Sequence, residues 1–229
     1  MPLDQRRIQA ICFDVDGTLS DTDDLIVSRI ASMVAVFSRL LPGPDPYRTA
    51  RWLVMSMESP GNAVLTFADW LRLNRSLDRI YNALYRGRLG RKPSTFWLIP
   101  GVQELLSRLA GRYPLAVISA NHQEPTEGFL DQFALRPFFR TVVTAHSCEN
   151  TKPFPDPLLL AAAQLAVPPT ACLMVGDTTV DIRAGRAVGA QTVAVLCGFG
   201  QEPELRRAGT DLVLPTTPDL GGILGIDRQ

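Results

Sequence analysis

The stretch Cys12-Phe13-Asp14-Val15-Asp16-Gly17-Thr18-Leu19 decides how the rest of this chain is read. An apolar run from Ile8 to Phe13 leads into it, and a run of that length bounded by a turn signal has the form of a buried strand. At average residue frequencies an Asp-x-Asp-Gly-Thr string arises by chance in roughly one chain of this length per several hundred. Its place at the end of an apolar strand makes coincidence rarer still. Successive strand residues face opposite ways, so Asp14 and Asp16 are expected on one side, while Gly17 lets the backbone approach a ligand closely. Two other readings compete. A helix or turn cap needs one aspartate and leaves the other unexplained. A calcium loop of the EF-hand type needs glycine at its sixth position, which counting from Asp14 is Leu19, and a helix rather than a strand before it.

Further apolar runs occur at Leu115–Ile118, Thr141–Thr144, Cys172–Val175, Thr192–Leu196 and Asp211–Leu214. Helical patterns cover Val102–Ala110, Thr126–Phe133, Pro157–Ala166 and Val180–Val188. Near-continuous apolar strands alternating with helices predict an α/β fold with a doubly wound parallel sheet covered on both faces. Such folds place their sites beyond the carboxyl ends of the strands. The first two strands are about a hundred residues apart, far more than one crossover helix requires. Between them Ile26, Ile30, Met33, Phe37 and Leu40 recur at helical spacing, with Asp23 or Asp24 available as a cap. Further helical patterns follow at 47–57, 63–73 and 77–89, separated by proline- and glycine-rich turns. The expected organisation is a core formed by residues 1–19 and 96–229, with an α-helical domain inserted at residues 20–95.

A second acidic pair stands in Gly176-Asp177-Thr178-Thr179-Val180-Asp181. Asp177 ends a strand, and Asp181 lies one helical turn further on, on the same face. Asp177 by itself also suits a helix cap. Carboxylates converging from two strand ends suit a hard, oxygen-seeking cation and favour magnesium over zinc. An anionic substrate beside them needs a positive group. The chain has only two lysines, Lys92 and Lys152, and Lys152 falls just beyond the third strand, with Pro153, Pro155 and Pro157 to stiffen its loop. Ser119 ends the second strand, where its hydroxyl can bond a phosphate oxygen. An ordinary turn serine and a surface lysine are the alternatives at these two positions. His122, just beyond Ser119, reads as an edge or surface residue.

Composition narrows the function classes. With 23 basic and 23 acidic residues the net charge is zero, so no electrostatic footprint for nucleic acid or an anionic membrane exists. The four cysteines lie far apart without a C-x-x-C pair, against a zinc site or a disulfide framework. No apolar run reaches membrane-spanning length, and the first nine residues lack the apolar core of a signal peptide. A cytoplasmic location is expected. None of these features bears on oligomeric state.

In order along the chain, DVDGTL at 14–19, Ser119, Lys152 in TKPFPDP and GDTTVD at 176–181 resemble the four motifs of the haloacid dehalogenase superfamily. The helical insert resembles the C1 cap of its phosphoglycolate-phosphatase-like branch. The resemblance spans Ile8 to about Leu214 and departs at Ala120, where relatives often carry asparagine. It implies a Rossmann-like core and a phosphatase that acts on small phosphorylated metabolites with Mg2+. Asp14 would attack phosphorus, and Asp16 would protonate the leaving oxygen and then activate water. Ser119, the Ala120 backbone N–H and Lys152 would hold the phosphoryl group. Asp14, the main-chain carbonyl of Asp16 and Asp177 would bind the metal, with Asp181 orienting Lys152 or a metal-bound water. Selectivity is expected in the insert, with Arg48, Arg51 and residues 55–62 as candidates. Asp16 argues against a dehalogenase, and the lack of lysine between Ser20 and Arg91 argues against a Schiff-base phosphonatase. A sugar-phosphate mutase uses the same aspartates, and a non-catalytic binder of phosphorylated metabolites on this fold is the reading outside enzymology.

Overall fold

The computed structural model describes residues 3–21 and 96–226. They belong to one compact unit that joins Met1–Thr22 to Phe96–Gln229. The helices expected between 20 and 95, with Arg48, Arg51 and residues 55–62, lie outside the described residues.

Six strands run β1 (Ala10–Phe13), β2 (Leu115–Ile118), β3 (Phe139–Val143), β4 (Cys172–Gly176), β5 (Gln191–Val195) and β6 (Leu212–Leu214). They form one sheet in the order β3-β2-β1-β4-β5-β6, and every pairing is parallel. Among the described residues six α-helices accompany them: α1 (Val102–Ala110), α2 (Gln123–Gln132), α3 (Asp156–Leu165), α4 (Thr179–Ala187), α5 (Glu202–Ala208) and α6 (Leu220–Ile223). Among the described residues no helix is long and apolar enough to cross a membrane.

Strand alternation sorts the core into two faces. Ile11, Phe13, Val117, Leu173 and Val175 pack with Leu105, Leu106 and Leu109 of α1, Phe129 and Leu130 of α2, and Leu220 of α6. Ala10, Cys12, Ala116, Ile118 and Met174 point the other way, against Leu158, Ala161, Ala162 and Leu165 of α3 and Ala184 of α4. Small side chains on both sides of that second interface let α3 come close to the sheet. Full burial of each leucine or phenylalanine contributes about 1.5–3 kcal/mol.

This packing fixes where a site can form. The chain proceeds outward from β1 to β2 and β3, then crosses to β4 on the other side of β1. The crevice at that reversal, beyond the carboxyl ends of β1 and β4, is where open α/β sheets bind ligands. Phe13 pairs with Val175, so Asp14 comes level with Gly176 and Asp177 follows one residue beyond.

The strands and helices expected in the core are found among the described residues, with shifts that have local causes. Helix α2 begins at Gln123 rather than Thr126, because Pro125 falls in its first turn, where backbone N–H groups have no intrahelical partner to lose. Strand β3 begins at Phe139, directly after a short 3-10 turn at Arg136–Phe138. Two helices were not expected from the sequence. Helix α5 has a legible signal, a reciprocal cap between Gln201 and Glu204 and left-handed Gly209 at its end. Helix α6 has four residues, two of them glycine, and shows no periodicity; burial of Leu220 and Leu224 holds it in place.

Candidate active site

Strand β1 ends at Phe13, and strand alternation carries no further. Asp14 still bonds the sheet, donating its N–H to the Val175 carbonyl at 3.0 Å. The chain then wraps round Val15, whose carbonyl accepts from the N–H groups of Leu19 and Ser20, both at 2.8 Å. The two aspartates therefore take different partners. Asp14 turns inward and is 7% exposed, whereas Asp16 lies nearer the surface and accepts from Asn121 Nδ2 at 2.6 Å.

Asp14 meets Lys152. The ammonium lies 2.5 Å from Asp14 Oδ1 and 2.6 Å from Asp181 Oδ1, and all three groups are buried. Asp181 owes its position to the start of α4. Its Oδ2 accepts from the Thr178 N–H at 3.1 Å and from Thr178 Oγ1 at 2.7 Å, a capping box that leaves Oδ1 facing the lysine. Asp177, also fully buried, accepts from the Phe199 N–H at 2.8 Å and from Thr18 Oγ1 at 3.5 Å. Glycines make room for it. Gly17 has a left-handed φ of +71°, and side chains at Gly17 or Gly198 would run into the Asp177 carboxylate. Ser119 is buried at the end of β2, and Ala120 is exposed in the turn that follows.

One carboxylate oxygen from each of Asp14, Asp177 and Asp181 lies within 4.8 Å of the other two. Trans ligands of an octahedral magnesium ion are separated by roughly 4.2 Å, so the cluster has the scale of a single cation site. The cluster holds three carboxylates and one ammonium, an excess of two negative charges once Asp14 is ionised. Burial pushes the Asp14 carboxyl up from its ordinary value of 3.8 to about 7; Lys152 opposes that rise, while Asp181 and Asp16 add to it. Burial pulls Lys152 down, but Asp14 and Asp181 outweigh it and hold the ammonium above its ordinary range. An all-oxygen donor set with this surplus charge fits a hard divalent cation such as Mg2+.

The sign of the Asp14 shift gives a prediction. Between pH 4 and 7 the folded metal-free protein holds a proton on Asp14 that the unfolded chain has released. Its stability therefore falls as pH rises through that window. A divalent cation displaces the proton, so Mg2+ is expected to raise the melting temperature more at pH 8 than at pH 5. Thermal melts at both pH values, with Mg2+ and with chelator, check this; an equal increment contradicts it. Lys152 stays charged throughout and does not contribute to the slope.

Asp14, Asp16, Ser119, Ala120 and Asp177 lie at or just beyond the carboxyl ends of β1, β2 and β4, Lys152 in the loop after β3, and Asp181 in the first turn of α4. The structure brings Asp14, Lys152, Asp177 and Asp181 into one cluster, with Asp16 one step outward. Sequence reading missed Asn121, Thr18, Thr178 and the Phe199 N–H. The string Cys197-Gly-Phe-Gly200 after β5 was a usable signal, since glycines beyond a strand end mark a close approach of backbone to a site. Nothing in the sequence spacing links Asn121 to Asp16, 105 residues away.

The family profile described as haloacid dehalogenase-like hydrolase matches residues 11–195. Pyrophosphatase PpaX of Halalkalibacterium halodurans is 28% identical, over 97% of this chain and 100% of its own length. Phosphoglycolate phosphatase of Escherichia coli strain K12 is 25% identical, over 97% of this chain and 94% of its own. A HAD family hydrolase from Deinococcus radiodurans, solved with bound phosphate and sodium, superposes with a TM-score of 0.67 at 24% identity, covering 96% of this chain and 97% of that one, and shares the fold. With its parallel sheet, its acid–lysine cluster at the switch point and a profile match over most of its length, the chain belongs to the haloacid dehalogenase-like hydrolase family.

Proposed function

We propose that this phosphoric monoester hydrolase releases phosphate from small phosphate monoesters through a transient phosphoaspartate on Asp14, with Mg2+ as cofactor. The observation that carries the reading is the buried Lys152 ammonium, shared between Asp14 at 2.5 Å and Asp181 at 2.6 Å within the acidic cluster. Phosphoryl transfer depends mainly on positioning and charge stabilisation, and this arrangement supplies both.

Asp14 presents a carboxylate oxygen to phosphorus, and the resulting aspartyl phosphate divides one difficult hydrolysis into two easier steps. Lys152, held by Asp181, draws the phosphoryl oxygens toward Asp14, and Ser119 with the Ala120 N–H binds them from the β2 side. Asp16 gives a proton to the departing ester oxygen and then takes one from the water that hydrolyses the intermediate. Asp14, Asp177 and the Asp16 carbonyl would hold the metal, whose charge offsets the repulsion between the Asp14 carboxylate and the phosphoryl oxygens.

Selectivity for small metabolites over folded phosphoproteins is assigned to residues 20–95 in this reading. The names of the relatives nominate phosphoglycolate and pyrophosphate as the substrates to test. A cytoplasmic location accords with the four free cysteines, because a reducing compartment keeps thiols unpaired.

A panel of 2-phosphoglycolate, pyrophosphate, hexose phosphates and p-nitrophenyl phosphate tests the reading. Phosphate release is expected with Mg2+ and should fall at least tenfold with EDTA. Release indifferent to chelator would contradict the metal assignment. Isomerisation of a hexose phosphate dependent on a bisphosphate, without phosphate release, would replace the phosphatase by the mutase.

A further inference from the structure

The turn after β2 is tied down on both sides. The Ser119 N–H donates to the Val143 carbonyl at 2.9 Å, and the Asn121 N–H donates to Ser119 Oγ at 3.1 Å. The Ala145 N–H donates to the Asn121 carbonyl at 3.0 Å, and His122 Nδ1 lies 2.7 Å from His146 Nε2. These bonds fix the Asn121 backbone without using its side chain. The carboxamide instead spans to another segment, where Nδ2 donates to Asp16 Oδ2 at 2.6 Å. An aspartate turns about two torsions, and Asp16 sits in a tight loop beyond the end of its strand. A donor anchored on a fixed backbone restricts that rotation.

From this geometry we propose that Asn121 is a positioning residue, holding the Asp16 carboxyl where it meets the leaving oxygen of the ester. The proposal rests on the reading of Asp16 as proton donor. It also gives a use to the departure at Ala120, since the asparagine one place further on reaches the loop that carries Asp14 and Asp16.

A positioned proton donor matters in proportion to how much the leaving group needs the proton. An alkoxide leaves poorly without one, whereas p-nitrophenolate departs as a stable anion. Misplacing a catalytic group by about 1 Å costs up to about 100-fold in rate. Asn121→Ala is therefore expected to lower kcat/KM for 2-phosphoglycolate by about 10- to 100-fold and for p-nitrophenyl phosphate by less than about threefold. Asn121→Leu, which keeps the size of the side chain but removes the donor without adding a charge, should show the same selective loss. Because Asn121 is exposed, both variants should melt within about 2 °C of the parent.

Asp16→Asn measured alongside separates the two ideas. It should discriminate between the esters even more strongly, and Asn121→Ala added to it should cost nothing further. Selective loss in Asp16→Asn but equal losses for both esters in Asn121→Ala overturns the positioning role and leaves the phosphatase reading intact. Equal losses for both esters in Asp16→Asn overturns the proton-donor reading, and the proposal with it.

Discussion

Asp14→Asn is expected to reduce phosphate release by at least about 10⁴-fold, the scale on which removal of a covalent nucleophile acts. The carboxamide keeps the size of the side chain but lacks the electron-rich oxygen that attacks phosphorus. A phosphoenzyme trapped by acid quench in the parent should be absent from the variant. Loss of fold does not account for such a result. Burial raises the Asp14 carboxyl to about 7 despite the neighbouring lysine, so at pH 8 the folded protein holds a charge that it binds less well than water does. Replacing that charge by a neutral group of the same shape should leave the metal-free protein as stable as before, or more so. The Lys152 ammonium retains Asp181 at 2.6 Å. Residual turnover above about 1% of the parent would contradict Asp14 as nucleophile, and a melting temperature several degrees lower would contradict the charge argument independently.

The acidic cluster could be read in the sequence because its members sit at places with strong local rules. Asp14 follows an apolar strand, and Asp177 and Asp181 straddle a strand end and the first turn of a helix. Lys152 is one of two lysines in the chain. The strands were legible for a related reason. Parallel strands buried on both faces, such as Cys172–Gly176 with every residue buried, are written as unbroken apolar runs. What escaped depends on direction rather than spacing. Alternation suggested that Asp14 and Asp16 face one way, but β1 stops at Phe13 and the loop around Val15 sends the two carboxylates to different partners. The capping role of Thr178 and the approach of the Phe199 N–H to Asp177 are likewise matters of where a side chain or a loop turns, which residue identity does not encode. The two histidines are 24 positions apart in sequence, and only the packing of the β2 and β3 loops makes them neighbours.

Lys152→Met is expected to damage stability and activity together, with a pH signature that tells the two apart. Methionine matches the length of the lysine stem, so packing changes little and the ammonium is what is lost. Asp14 Oδ1 and Asp181 Oδ1 both lie within 2.6 Å of that ammonium, so without it two buried carboxylates confront each other. Removing one partner of a buried ion pair costs about 3–5 kcal/mol, on the order of 10 °C in melting temperature for a chain of this size. The penalty requires both carboxylates to be ionised. With the lysine present the Asp14 carboxyl already titrates near 7; without it the carboxyl moves higher still, and protonation at pH 5 relieves the repulsion. The melting deficit of Lys152→Met should therefore be full at pH 8 and small at pH 5. Catalysis gains nothing from that relief, because a protonated Asp14 cannot attack and the phosphoryl oxygens have lost their ammonium. Phosphate release should stay down by about 10³-fold at both pH values, a loss comparable with removal of a principal charge-stabilising donor. Adding Asp14→Asn to Lys152→Met should restore part of the stability and none of the activity, since it removes one of the facing carboxylates and leaves Asp177 as the like-charged neighbour of Asp181 in the cluster. A deficit equal at both pH values, or left unrepaired in the double variant, would mean that the ammonium is not what holds the carboxylates together.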